Sequence, residues 1–591
     1  MKVGHIISIV LISILIGIAS NLSYTYLTTE RLSNDEKTFI KLLEDDWENT
    51  LQENPFFASL LGDERFNDQV TSNSVEKFKL DQDYEISFLE KLSQINLSNL
   101  TEPQKLNYRL IKTSYEVALD GKNFPNYYMQ LNQRGGVQDY YSYADRLDFS
   151  EKQDYLDWFE RIKGFNQNIK NSLKNNQEGL KNGYTQPKLV SRAVATQIEN
   201  MLALDIDKHP YFKAFSSADK VMSEQEANEL KESVKEFIVD KLNPSYRKLL
   251  TFLRNVYIPN SRNSVGLDGV PNGKAWYEYL AKYHTTTNLT PNEIHEIGLK
   301  EVARIRSEME DIIESVSWQG DFRSFLTFLR TDPQFYYETG EELLEAYRAM
   351  SKKIDAYMPS LFNKLPRAPY GVIPIPMETA PYTTTAYYNA PSKGRPGYYY
   401  ANLYKPETRP KYEIPVLSVH EAVPGHHHQI ALAQELENVP KFRNHLSFTA
   451  FVEGWGLYSE QLGENMGLYE DPYDKFGQLT YDMWRAIRLV VDTGMHYKGW
   501  TREEAVDLFL ENTAKTPLDI NNEVDRYIAW PGQALAYKIG QLKIMELRDK
   551  AKEELGEKFD LKDYHDFILS FGSIPMNILE EKVNEFIESK K

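Results

Sequence analysis

The sequence predicts a mostly α-helical body carrying one small β element, and three observations predict it. From about residue 30 onward, apolar residues recur at three- and four-residue spacings between charged faces, the period of helices with one side turned inward. Hydroxyl residues stand three positions before a glutamate at Ser33 with Glu36, at Thr290 with Glu293 and at Thr501 with Glu504, and Pro291 follows Thr290. In that pattern the hydroxyl and the carboxylate satisfy the free amides of a helix start. The helical period fails over residues 259–273, rich in Gly, Pro and Asn, and over residues 366–402, where "METAPYTTTAYYNA" alternates. The second of these reads as short strands and loops. The stretch "NQNIKNSLKNNQEGLKNG", residues 166–183, reads as a solvated helix face followed by a turn.

Composition narrows the function classes. With 591 residues, 41% of them hydrophobic, the chain can bury a large core. A net charge of -18 speaks against a phosphate backbone as partner, which needs concentrated Lys and Arg, and leaves a peptide or small-molecule ligand. There is no cysteine, so disulfides, thiol nucleophiles and Cys-bound metal are excluded, and any metal must sit on His and carboxylates. The start, "MKVGHIISIVLISILIGIASNLS", puts Lys2 before an apolar run that ends near the small residues Gly17 and Ala19. Residues 1–22 therefore read as a signal peptide, or as an uncleaved anchor, the run being shorter than the ~20 residues of a membrane span. Export to the periplasm or the exterior is expected, with no other stable span.

The chemistry concentrates in "SVHEAVPGHHHQ", residues 418–429. Two histidines four apart on a helix face one metal, as in the HExxH motif, whereas His426 stands six after His420 and on an unbroken helix would point away. Pro424, however, cannot donate an amide hydrogen, and its ring clashes with the carbonyl of His420, so the helix must distort there. Gly425 tolerates the backbone angles this needs. A two-residue bulge at Pro424 and Gly425 would bring His426 to the position of the second HExxH histidine, turn His427 elsewhere and leave Gln429 about a turn beyond. Downstream, "FTAFVEGWGLYSEQLGE" sets Glu453 in an otherwise apolar helix, where an unpaired carboxylate is costly and coordination would resolve the cost. Glu460, seven residues on, lies on the same face and could orient a histidine, as could Gln429.

"HEAVPGHHHQ", "EGWGLYSE", "RLVVDTGMHYKGWTREEA" and "RYIAWPGQALAYKIGQLKI", with "GLDGVPNGKAWYEYLAKYHTTTNLTPNEIHEIGLKEVARI" in the middle of the chain, together resemble the bacterial domain of unknown function 885 family. That family is similar to a distant branch of the gluzincin metallopeptidases. The resemblance implies a large helical, metallopeptidase-like body with a deep cleft, split into a helical region over residues 30–345 and a catalytic region over 346–591. It implies one zinc per chain on His420, His426 and Glu453, with Glu421 as catalytic base. The expected reaction is hydrolysis of a peptide bond, of short peptides first. A metallohydrolase of another amide and a non-catalytic metal-containing binding protein remain as alternatives, and the intact Glu421 argues against the last. For the oxyanion His496 is the first candidate and Tyr537 the second. For a substrate carboxylate the candidates are Arg526, Lys538 and Arg395. The tyrosine run centred on Tyr399 reads either as an edge strand that pairs with a peptide or as a buried strand.

Overall fold

Helix starts in this protein follow the local chemistry of its sequence. Thr290 and Thr501 each close a reciprocal cap with the glutamate three residues on, and Ser33 Oγ accepts the Glu36 amide at 3.0 Å. The computed structural model describes residues 32–591 apart from Glu378 and Lys393, so the leader expected over residues 1–22 lies outside the described residues. The described chain is mostly helix with one three-stranded sheet. Among these residues no helix is long and apolar enough to cross a membrane.

The chain forms two units. The smaller runs through residue 51 and over residues 79–122, and consists of most of α1 (Asn34–Glu53), α2 (Val75–Ser93) and α3 (Glu102–Gly121). Its core holds Phe39, Leu43, Phe88, Leu92, Leu110 and Ile111. The buried Asp46 carboxylate within it accepts from the hydroxyls of Tyr84 and Tyr115, which meets the requirement that a buried carboxylate be hydrogen-bonded.

The larger unit, residues 52–78 and 123–591, carries everything that concerns the candidate site. Its elements are α4 (Lys152–Lys181), α5 (Pro291–Ser315), α6 (Gly340–Asp355), β1 (Tyr370–Pro374), β2 (Ala386–Asn389), β3 (Gly397–Ala401), α7 (Ile414–Glu421), α8 (His426–Gln434), α9 (Thr449–Asn465), α10 (Pro472–Tyr497), α11 (Pro517–Ala529) and α12 (Ala536–Leu555), besides further helices. Residues 345 and 346 both lie inside α6, so the boundary expected there coincides with no break in the backbone.

Helix α10 is the axis of this unit. Residues 476–496 are buried on every side, the mark of a helix enclosed by others rather than laid on a surface. Its ionic residues are accordingly paired. Asp482 meets Lys538 at 2.6 Å, Arg488 meets Glu523 at 3.0 Å, and Asp492 accepts from Tyr277 OH at 2.5 Å and the Gly532 amide at 2.9 Å. Helix α5 packs along α10 at Gly298, where a Cβ would come within 2.8 Å of Leu489 and Val490.

One reading needs refining, and of the two readings given for the tyrosine run the buried strand holds. The stretch over residues 166–183 is a helix with a turn after it and is exposed at Gln167, Lys170, Lys174 and Gln177, but several of its asparagines face inward. Asn168 and Asn175 are buried, and their amide groups donate to Thr71 O and Asn73 O at 2.9 Å each. These asparagines satisfy the backbone of an irregular segment laid against the helix, which apolar side chains could not do. The tyrosine run, in turn, forms the central strand of a sheet ordered β1-β3-β2, with β1 parallel and β2 antiparallel to it. Tyr399 is fully buried. Its strand has a neighbour on both sides and no free edge to offer a peptide.

Candidate metal centre

Every residue of α7 is buried, and the helix stops at Glu421. Ala422 leaves the helical region, Pro424 follows through a cis peptide bond, and α8 starts afresh at His426. The interruption is thus a turn between two helices rather than a bulge inside one, because Pro424 has no amide hydrogen with which to carry α7 onward. The turn is closed by the Gly425 amide donating to Val419 O and the His427 amide to Ala422 O, each at 3.0 Å. Trp455 Nε1 donates to Pro424 O at 2.8 Å.

Gly425 is required here for space. A Cβ would lie 1.9 Å from His420 O and 2.4 Å from Val419 O, both backbone atoms that cannot yield. Gly425→Ala is therefore expected to cost at least ~3 kcal/mol of stability, the scale of severe overpacking, which chemical denaturation would measure.

The turn sets the His426 ring edge-on to the His420 ring, with centroids 4.6 Å apart. Glu453 on α9 faces both, its Oε2 lying 3.4 Å from His426 Nε2 and 4.0 Å from His420 Nε2. Gly456, one turn after Glu453, makes room for the His420 ring, since a Cβ there would stand 2.7 Å from Cε1. On the far side of that ring Nδ1–H donates to Glu460 Oε1 at 2.8 Å, and Arg485 Nη2 stands 3.5 Å from the same oxygen. A histidine so held presents the lone pair of Nε2 to Glu453 and His426. His427 turns away, with Nδ1 accepting from Tyr388 OH at 2.9 Å and Nε2–H donating to Ala368 O at 3.0 Å. Gln429 lies buried on α8, and its amide donates to Gly425 O.

The electrostatics follow from burial and from these pairings. Burial, with His426 and two arginines adding to it, holds His420 well below the ordinary histidine value and so neutral, as a ligand must be. Burial is the largest influence on His426 and would lower it as well, but the hydrogen bond to Glu453 and the charges of Glu453 and Glu421 together outweigh burial and raise it. Burial would raise Glu453, but His426, with Arg526 and Tyr537 adding to it, holds the carboxylate low. Burial pushes Glu421 up to about 7, against the pull of His426. Burial pushes Glu460 up to about 8, against the pull of Arg485.

Donor atoms of His420, His426 and Glu453 all lie within 4.8 Å of one another. A tetrahedral zinc with ligands at ~2.0–2.1 Å has donor-to-donor edges of about 3.3 Å. Two imidazoles and one carboxylate at these spacings fit a zinc with a fourth position left open.

Other expected residues divide. Tyr537, on α12, stands beside both Glu453 and Arg526. His496 is not available as an oxyanion donor. It is fully buried, its Nδ1 accepts the Leu267 amide and its Nε2–H donates to Tyr527 O, each at 3.0 Å. Lys538 is fully buried between Asp482 and Glu301, 2.6 and 2.9 Å away, and has no charge left for a substrate. Arg395 is exposed in a turn, where its amide donates to Ser392 O at 2.9 Å. Tyr399 lies beneath α7 beside Ser418, near the charge of Glu421. Sequence reasoning missed Arg485 and Arg488, whose three-residue spacing inside the apolar "RAIRLVV" was the available signal. It also missed Glu523 and Arg134, for which no such signal exists.

Helices α9 and α12 cross in backbone contact. A Cβ on Gly540 would lie 2.0 Å from Ala450 O, and one on Gly454 would lie 2.5 Å from the Gly540 carbonyl carbon.

The model of a family described as "Bacterial protein of unknown function (DUF885)" matches residues 55–583. No curated protein matches the chain. Among solved structures, a presumed lipoprotein from Colwellia psychrerythraea is similar at 27% identity and a TM-score of 0.89, over 94% of this chain and 100% of that one. A presumed lipoprotein of unknown function from Shewanella oneidensis shares the fold at 17% identity and a TM-score of 0.74, over 92% of this chain and 99% of that one.

Proposed function

Since the chain belongs to the DUF885 family, whose name assigns no chemistry, we propose its function from the site itself: a zinc-dependent peptidase that hydrolyses peptide bonds of short peptides. The observation that carries this reading is the convergence of His420, His426 and Glu453 beside Glu421, a buried carboxylate raised to about 7. A structural metal site needs the three ligands but not the second carboxylate.

A zinc held there supplies Lewis acidity toward the scissile carbonyl and brings the pKa of water toward ~7. Glu421 takes up the water proton on its carboxylate and delivers it to the departing amine. Tyr537 presents its hydroxyl to the oxygen on which charge develops. Glu460 fixes the His420 ring so that Nε2 faces the site. The balance is one water consumed and one amide bond replaced by an acid and an amine.

The leader and the likeness to a presumed lipoprotein support an exported protein. The given sequence has no cysteine, so it offers no attachment point for a lipid held through a cysteine thioether. The test is a chain lacking residues 1–22, assayed for metal and for cleavage of a peptide library. About one zinc per chain and release of new amino termini are expected; full zinc occupancy in a His420→Ala, Glu453→Ala double variant would overturn the assignment.

A further inference from the structure

Beside Glu453 lies more buried positive charge than its neighbours balance. Arg526 of α11 and Arg488 of α10 are 8% and 5% exposed, and both turn to one carboxylate, Glu523. Its Oε2 stands 3.0 Å from Arg488 Nη2 and 3.5 Å from Arg526 Nε, and it also accepts from Tyr527 OH at 2.9 Å. Arg134 adds a third guanidinium, under the influence of both Arg526 and Glu523 and 5.6 Å from the ring of Trp530. Asp492 is close enough to feel Arg526 and Arg488, but one of its oxygens is taken by Tyr277 and Gly532, and burial raises it to about 7. Apart from Glu453, which the proposed zinc would engage, the three guanidiniums thus share one firmly ionised carboxylate, Glu523.

Their donors are correspondingly idle. Among the described residues Arg526 Nη2 and Arg488 Nη1 are buried with no hydrogen-bond acceptor, and Arg526 Nε meets Glu523 only at the 3.5 Å of a long ion pair. A buried guanidinium with unmet donors is expensive unless an anion completes it, and two planar forks meeting at one place suit a carboxylate. Tyr537 links this place to the metal centre. Its ring lies 4.5 Å from the Arg488 guanidinium, and it stands beside both Arg526 and Glu453. One tyrosine side chain thus stands between the arginines and a ligand of the proposed zinc.

Resting on the peptidase reading above, we infer that Arg526, Arg488 and Arg134 bind the free C-terminal carboxylate of the substrate, so that the enzyme removes one or two residues from the carboxyl end of short peptides. An acidic side chain would offer the same chemistry, and the test separates the two sources.

The probes are tri-alanine, tri-alanine amide and Ala-Ala-Glu amide, each measured for hydrolysis and, by calorimetry, for binding. Wild-type protein is expected to favour the free acid over its amide by at least ~30-fold in KM or Kd, with the Glu amide no better than the alanine amide. Arg526→Gln should treat acid and amide alike within about threefold, and Arg526→Lys should recover part of the preference. Glu523 keeps Arg488 and Tyr527 in these variants, so their melting midpoints should stay near that of the wild type; Arg134→Gln, a change farther from the core, gives a second variant with the same expected direction. Equal treatment of acid and amide by the wild type, a preference that survives in Arg526→Gln, or a Glu amide as good as the free acid would each overturn the inference. If no probe is hydrolysed, the peptidase reading falls, while the binding preference and its loss in Arg526→Gln still decide the carboxylate site.

Discussion

Glu421→Gln is expected to retain its zinc and to lose at least ~100-fold in turnover, the usual consequence of removing a general base. The two residues at issue are adjacent in sequence but differ in surroundings. His420 turns its ring toward Glu453 and is held from behind by Glu460, whereas the Glu421 carboxylate is buried beside those groups and raised to about 7. The amide of glutamine has nearly the shape of the carboxylate and cannot accept the water proton, so metal content should be unaffected while kcat falls. Metal analysis and single-turnover kinetics on one preparation would check this. Unchanged turnover would mean that another group activates the water.

His426→Ala should abolish stoichiometric zinc binding, and His427→Ala should leave it largely intact. The neighbours are distinguished by what their rings already touch. His427 has both nitrogens engaged, with Tyr388 and with Ala368 O, while His426 directs Nε2 toward Glu453. Losing one of three protein ligands leaves a His and a carboxylate, too few for a closed coordination shell. His427→Ala should instead appear as a loss of stability, because it leaves the Ala368 carbonyl without its donor. Metal titration with thermal melts separates the two effects, and the reverse pattern would move the ligand by one position.

What could be read from the sequence was what local rules determine. Helix starts at Thr290 and Thr501 follow from residues three apart, and the break after Glu421 follows from the chemistry of Pro424. The approach of Glu460 to His420 follows from a seven-residue spacing on one helix. The rest depended on partners remote in sequence. His496 and Tyr537 were equally plausible donors until the fold put the Leu267 amide and Tyr527 O on the two nitrogens of His496. Nothing near Lys538 in the chain announces Asp482 or Glu301. The arginine cluster draws on residues 134, 488 and 526, which only tertiary packing unites. The inward turn of several α4 asparagines was hidden for the same reason, since their partners Thr71 and Asn73 come from a segment about a hundred residues earlier.

The backbone contact of α9 with α12 divides the site into a part that can be retuned and a part that cannot. With Gly454 against Gly540 and Gly540 against Ala450, not even one methyl group can be inserted between the helix that carries Glu453 and the helix that carries Tyr537. Those two side chains therefore share one frame, and no gradual series of substitutions can widen the distance between them. On the proposed function, variation in what is bound has to enter from α11 and from the segment around Arg134, whose arginines stand near the same tyrosine. Libraries aimed at new selectivity would do best to leave both glycines untouched and to draw their diversity from those two places.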